Sequence, residues 1–266
     1  MLRNKLLKMQ NLLQRMESVL VAFSGGIDSS LVLKIAHDSL GDRAIAVTAV
    51  SPTFPGLELE TARRVGQEIG VRHLIIDTDQ LTMPDFVRND ANRCYHCKTD
   101  LYQALQKLQL ELNIGTMVDG TNQDDLSDDR PGTVAAREWG VRSPLVEAEL
   151  SKAEVRSLAK ELGLSNWNKP AAACLSSRIP RGTVITREKL TRVEQAEALL
   201  FQEGFRQFRV RDHGEIARIE VEEDELPRWL DPARRTRVSA QLNTLGFQFV
   251  TLDLAGYRRG GGIHKA

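Results

Sequence analysis

The sequence predicts an α/β chain, a doubly wound parallel sheet followed by a small C-terminal α+β domain. Strand-length apolar runs alternate with helical periodicity from the N-terminus to about residue 165, the pattern of consecutive βα units. The run Ala44-Ile45-Ala46-Val47-Thr48-Ala49-Val50 is apolar almost throughout, which suits a parallel strand covered on both faces. After Pro170 the alternation stops and a hairpin pattern takes over. The expected domains are therefore residues 1–170 and 171–266.

Taken in order, residues 2–17 carry helical periodicity and Val19 to Phe23 form a short apolar strand. A helix opening on Asp28 runs to Leu40 and stops at Gly41-Asp42. The strand Ala44 to Val50 follows, then a loop punctuated by Pro52, Pro55 and Gly56. Leu57 to Gly70 reads as a helix ending on glycine, Val71 to Asp77 as a strand and Thr116 to Asp119 as another. Pro131 to Gly140 and Ser151 to Gly163 read as helices; Ser151 and Glu154 have the spacing of a capping box. Beyond Pro170, a helix over about 187–203 precedes a hairpin, Phe208 to Arg211 and Ile216 to Val221, turning at Asp212-His213-Gly214. A helix from about Glu223 to Leu245, with a break expected at Asp231-Pro232, leads to a last strand, Phe247 to Leu254. The Gly- and Arg-rich tail from Gly256 reads as mobile.

Composition narrows the function class. Thirty-six Lys and Arg balance 36 Asp and Glu, so no global field draws the chain to nucleic acid or membrane. The first residues form a charged amphipathic helix rather than a signal peptide, and no apolar run approaches the ~20 residues of a membrane span. Three cysteines, an odd number, do not make a disulfide framework. The expected location is the cytoplasm, where thiols stay reduced.

The chemistry begins at Ser24-Gly25-Gly26-Ile27-Asp28-Ser29-Ser30, a tight turn between the first apolar strand and a helix. Two glycines let the backbone approach a ligand, and the exposed amides of the helix N-terminus favour an anion, here a phosphate. No G-x-x-x-x-G-K-[ST] and no G-x-G-x-x-G occurs, so the P-loop and dinucleotide classes are unsupported. The run S-G-G-x-D-S resembles the loop of the pyrophosphate-loop ATPases, which activate a group as its adenylate. Asp28 is a candidate both to position Mg²⁺ and to cap its helix. Ligands of such sheets bind at the carboxyl ends of the strands. Asp119 and Gly120 fall there and are the expected nucleotide neighbours. Asp124, Asp125, Asp128 and Asp129 read mostly as a solvated loop face.

Cys94 and Cys97 form a C-x-x-C in a loop opening a helix, and Cys174 stands alone in an Ala-rich stretch. The pair alone is compatible with half a zinc site, a redox pair or coincidence, and Cys174 with a small buried hydrophobe. Three cysteines with an open coordination position suit a [4Fe-4S] cluster.

On further runs the chain is similar to the LarE-type ATP-dependent sulfur transferases. The matching stretches are Arg93-Cys94-Tyr95-His96-Cys97-Lys98, Asp119-Gly120-Thr121-Asn122 with Arg130-Pro131-Gly132, and Ala173-Cys174-Leu175-Ser176-Ser177-Arg178. Arg209-Val210-Arg211-Asp212-His213, Ala217-Arg218-Ile219-Glu220 and Val250-Thr251-Leu252-Asp253-Leu254 extend the likeness to the end of the chain. The resemblance implies ATP-dependent adenylylation and thiolation of a pyridinium 3,5-biscarboxylic acid mononucleotide, a step toward the nickel-pincer cofactor of lactate racemase. It also implies that Cys94, Cys97 and Cys174 hold a [4Fe-4S] cluster delivering sulfide. The cysteine that single-donor members sacrifice falls at Ala173. A homo-oligomer, a hexamer by resemblance, is implied too.

From Ser177 onward there are 14 Arg against 2 Lys, and Arg presents a planar fork suited to phosphate and carboxylate. Arg209 and Arg211 alternate on one strand, so they share a face on which to clamp one phosphate, with Glu220 on the paired strand to orient them. Ser177, Arg178 and Glu197 complete the expected substrate set. The competing readings are a tRNA thiolase and an amide ligase like NAD or GMP synthetase. The C-terminal stretch from Ser177 carries 16 basic against 13 acidic residues, net +3, with no aromatic-basic motif, so nucleic acid is not the expected partner. An amide ligase gives the cysteines no task. The histidines show no ligand spacing, and Trp139, Trp167 and Trp229 read as packing residues.

Overall fold

The computed structural model describes residues 1–127, 131–170 and 173–258, in two compact units. One is Met1–Gln80 with Asn92–Ala172; the other is Leu81–Ala91 with Ala173–Ala266. Asp128, Asp129, Arg130 and the tail from residue 259, all read in the sequence, lie outside the described residues.

The first unit contains α1 (Leu2–Arg15), β1 (Val19–Ala22), α2 (Ile27–Leu40), β2 (Ala44–Val50), α3 (Gly56–Ile69) and β3 (Arg72–Asp77). The short α4 (Pro84–Val87) belongs to the second unit. The first then resumes with α5 (Arg93–Glu111), β4 (Thr116–Val118), α6 (Pro131–Glu138), α7 (Pro144–Glu147) and α8 (Lys152–Glu161). Its four strands are all parallel, in the order β3-β2-β1-β4. The chain builds outward from β1 to β3 and then returns to the other side of β1. The switch point therefore lies at the carboxyl ends of β1 and β4, where ligands of such sheets bind.

Side chains one residue apart on a strand point to opposite faces, and this sheet buries both. Val19, Val21, Ala44 and Ala46 pack with α1, α2 and α8 in one cluster. Leu20, Ile45, Val47 and Met117 pack with Tyr102 and Leu105 of α5 in another. That double burial explains the unbroken apolar strands. Trp139 and Trp167 pack against these clusters, as expected. The helix signals are met as well: the Ser151–Glu154 capping box forms at α8, and Gly70 closes α3 at φ 79°.

The second unit contains α9 (Arg187–Gln202), β5 (Phe208–His213), β6 (Ile216–Val221), α10 (Pro232–Thr244) and β7 (Phe249–Leu252). β5 and β6 are the expected antiparallel hairpin, although β5 runs on to His213 and the turn sits at Gly214-Glu215. β7 pairs parallel to β6, so α10 serves as the crossover. The long helix expected over 223–245 is two pieces, a 3-10 stretch Glu223–Leu230 and then α10. Pro227 and Pro232 lack the amide that a continuous helix needs, and the Asp231 side chain caps α10 through Ala233 N. Trp229 is core, stacked on Phe205 with centroids 5.0 Å apart.

The segment Leu81–Ala91 joins this unit through Asn89, which is fully buried at φ 57°. Its amide donates to the carbonyls of Pro180 (2.8 Å) and Thr183 (3.0 Å), and Gly182 N returns a bond to Asn89 O. An eleven-residue excursion of this kind has no signature in apolar periodicity.

Candidate functional site

In the first unit the Ser24–Ser30 turn leaves the end of β1 at the switch point. Phe23 N still bonds Val47 O (2.8 Å), so the ladder holds the turn up to its first residue. Ser29 Oγ closes it, donating to Gly26 O (3.1 Å) and lying 3.3 Å from both Ser24 N and Ser24 Oγ. Gly25 takes φ 72°, and a Cβ there would meet the backbone of Ala62 at 2.8 Å, so only glycine fits. Gly120 packs just as closely on the start of α2, where a Cβ would lie 2.6 Å from Ser29 N. The two expected strand-end loops thus touch, and glycine makes the contact possible.

Asp28 does not cap α2. The N-cap is Gly26 with no side-chain bond, because Asp28 already sits in the first helical turn. Its carboxylate instead accepts from Asn122 Nδ2 (3.1 Å) and forms an ion pair with Lys152 Nζ. Lys152 thus places an ammonium beside the phosphate turn. Apolar periodicity did not reveal it, although its position directly after the cap residue Ser151 was visible.

Asp119, expected beside the nucleotide, is an internal anchor. It is buried and accepts from Thr121 N (3.1 Å), Thr121 Oγ1 (2.8 Å), Ser143 Oγ (2.7 Å) and Tyr102 OH (3.2 Å). Four donors satisfy a carboxylate, which leaves Asp119 to hold Gly120 and Asn122 in place. Burial raises the Tyr102 hydroxyl to about 12, so it stays protonated and donates. Lys98 lies over the Tyr102 ring at 5.4 Å, and the neighbouring Tyr102 oxygen holds its ammonium above the ordinary range. Asp124 and Asp125 are not merely solvated either: Asp124 accepts from Lys152 N (3.0 Å) and Asp125 from Asn122 N (3.1 Å).

Behind the turn, Thr48 Oγ1 donates to Phe23 O (2.7 Å) and lies 2.8 Å from His73 Nε2. Since Thr48 has one proton, already given to Phe23 O, His73 must donate from Nε2. Burial lowers the His73 pKa, with the Arg63 charge adding to it, so the ring stays neutral.

The cysteines fall in different units. Cys94 and Cys97 lie in the first turn of α5, inside the helix rather than in a loop before it; Cys94 is exposed and Cys97 half-buried. Positions i and i+3 share a helix face, as a pair gripping one centre requires. Cys174 is half-buried in the second unit, with its Sγ 3.0 Å from Ser176 Oγ. None forms a disulfide, and among the described residues no group of three or more His, Cys, Asp or Glu is set to hold a metal ion.

The Cys174 loop is held by a buried ion pair. Arg178 and Glu197 meet through two parallel bonds of 2.8 Å, and Glu197 Oε1 also accepts Val210 N (3.0 Å). The far nitrogen of Arg178 donates to Ala173 O (2.8 Å) and Cys174 O (3.1 Å). Ser177 Oγ adds a bond to Cys174 O (2.8 Å). Arg211 is paired in the same way with Glu220 (2.6 and 2.9 Å) and reaches Ser177 O (3.0 Å). Its fork is therefore occupied, which overturns the expected Arg209–Arg211 phosphate clamp. Glu220 orients Arg211 rather than both arginines, and Glu197 orients Arg178.

Arg209 differs. It lies 5.1 Å over the Tyr257 ring and donates to Phe208 O (2.6 Å). Burial, with the nearby Arg178 charge, lowers its pKa.

Residues 9–102 match the asparagine synthase family. The chain is 44% identical over 260 residues to an uncharacterized protein of Synechocystis, covering 98% of this chain and 97% of that protein. It is 42% identical over 249 residues to the pyridinium-3,5-bisthiocarboxylic acid mononucleotide synthase of Lactiplantibacillus plantarum, covering 93% and 90%. A tRNA-specific 2-thiouridylase of Rickettsia peacockii is 24% identical over 200 residues, 61% of this chain and 54% of that one.

Proposed function

We propose a reaction on one premise: this chain belongs to the LarE-type ATP-dependent sulfur transferases of the pyrophosphate-loop superfamily. The acceptor is pyridinium-3,5-biscarboxylic acid mononucleotide, and the product its bisthiocarboxylate, on the way to the nickel-pincer cofactor of lactate racemase. The observation that carries this reading is the likeness to the Lactiplantibacillus plantarum synthase, which runs through both units of the chain.

A carboxylate is a poor electrophile. Its oxygen attacks the α-phosphorus of ATP, pyrophosphate leaves, and the mixed anhydride now has AMP as its leaving group. Sulfide adds at the activated carbon, the C–O bond to AMP breaks, and a thiocarboxylate results; a second round treats the second carboxylate. The amides of Ser24–Ser30 hold the departing pyrophosphate, and Lys152 offsets its charge. Asp28, now paired with Lys152, would hold Mg²⁺, which would offset the charge developing on the leaving pyrophosphate. Arg209, with Ser177 beside the Cys174 loop, receives the acceptor's phosphate, while Arg178, Arg211, Glu197 and Glu220 hold that surface rigid.

Cys94, Cys97 and Cys174 are the sulfur-handling residues. Three thiols outside any disulfide, each at least partly exposed, have the chemistry of a soft metal centre. A [4Fe-4S] cluster on them would supply the sulfide. Cytoplasmic location and a homo-oligomeric, hexameric assembly complete the proposal.

The test is Cys174→Ala. The variant should bind Mg-ATP as the wild type does and yield no thiolated product. Thiolated product at the wild-type rate would remove Cys174 from the mechanism.

A further inference from the structure

We propose that Asn166 is a positioning residue for the phosphate loop, setting the peptide that faces the pyrophosphate of ATP. Asn166 follows α8 on the stretch Leu164–Lys169 and is 3% exposed. Its Nδ2 donates to Gly25 O (3.0 Å) and to Ser30 Oγ (2.8 Å), so one amide group grips the turn and the first turn of α2 together.

The first of these bonds has a geometric consequence. Across a trans peptide the carbonyl and the next amide point in opposite directions. Holding Gly25 O toward Asn166 therefore holds Gly26 N–H away from it, toward the exposed Ser24 hydroxyl 3.3 Å off. That is the open side of the turn. The peptide joins two glycines, Gly25 at φ 72° and Gly26, whose backbones have alternative conformations open to them, so an external anchor fixes its direction.

Asn166 Oδ1 is buried without a hydrogen-bond partner among the described residues, and an orphaned buried acceptor is a net cost. Leucine has nearly the same shape and would remove that orphan, but it would leave Gly25 O and Ser30 Oγ without this donor. What leucine cannot do is donate to Gly25 O. The amide is kept for the direction it imposes on the loop.

The stretch is itself held from the other side. Ser165 Oγ bonds Glu68 of α3 (2.6 Å), Lys169 N returns to Asn166 O (3.0 Å), and Lys169 Nζ pairs with Glu58 of α3 (2.8 Å). Asn166 is thus a fixed strut rather than a mobile side chain.

The inference rests on ATP binding at this loop and not on the identity of the sulfur acceptor, so its test uses no acceptor. Asn166→Leu and Asn166→Asp are prepared in the full chain. Dissociation constants for Mg-ATP, Mg-pyrophosphate and AMP are measured by calorimetry beside thermal midpoints. Removing an outer-shell orienting group costs about 10–100-fold. Both variants should therefore weaken Mg-ATP and Mg-pyrophosphate by that factor, Asp more than Leu because its carboxylate meets Gly25 O with like charge. AMP affinity should stay unchanged. Mg-pyrophosphate affinity within twofold of wild type in both variants overturns the proposal. So does a loss shared equally by AMP, since that marks a general structural defect.

Discussion

Glu197→Ala tests how the Cys174 loop is built. The substitution removes both partners of the Arg178 fork and the acceptor for Val210 N, and strands a guanidinium that is 3% exposed. Breaking a buried pair from one side costs about 3–5 kcal/mol, because the remaining charge stays desolvated. For a chain of this size each kcal/mol lowers the melting temperature by about 2–4 °C, so a drop of roughly 6–20 °C is expected by scanning calorimetry. Glu197→Gln, which keeps the shape and one acceptor, should fall between. Arg178→Met with Glu197→Leu should recover much of the loss, because no buried charge remains. Arg178 also anchors the carbonyls of Ala173 and Cys174, so thiolation should fall in the single variant while Mg-ATP affinity holds. A melting temperature for Glu197→Ala within about 1 °C of wild type would refute the reasoning.

Other perturbations have equally direct outcomes. Gly120→Ala drives a methyl into the backbone of Ser29; it should abolish measurable Mg-ATP binding in a chain that still folds, and unchanged binding would show that the two loops separate freely. Asp28→Asn should slow acceptor-dependent pyrophosphate release about 10–100-fold and raise the Mg²⁺ requirement. Leu20→Ala, in a fully buried position between the helical layers, should cost about 2–5 kcal/mol in denaturant unfolding. His73 has a lowered folded-state pKa, so the neutral ring's contribution is present above its ordinary pKa and lost as pH falls. Melting temperatures should decline between about pH 7 and pH 5, and His73→Gln should flatten that slope.

The parallel sheet was legible because double burial leaves a distinctive sequence trace: Leu20 and Val21 face different cores yet are both apolar. The phosphate turn was legible because glycine at Gly25 and Gly120 answers steric demands that no other residue meets. Side-chain pairing was harder to read. That Arg211 is taken by Glu220 depends on a diagonal contact across a hairpin whose register puts Glu220 opposite Arg209. Asp119 and Asp28 carry the same chemistry in the sequence; only their surroundings make one an anchor and the other a partner of Lys152. Asn89 and Asn166 left no periodic trace at all, since each works through side-chain hydrogen bonds to groups distant in the chain.

The most direct measurement is pyrophosphate release by anaerobically purified, iron- and sulfide-reconstituted protein with Mg-ATP. It is followed with the pyridinium biscarboxylate mononucleotide, with bulk tRNA and with neither. Release that depends on the pyridinium nucleotide, together with a product mass in which sulfur replaces oxygen, is the predicted result. Release with tRNA alone would contradict the account and assign the chain to tRNA thiolation.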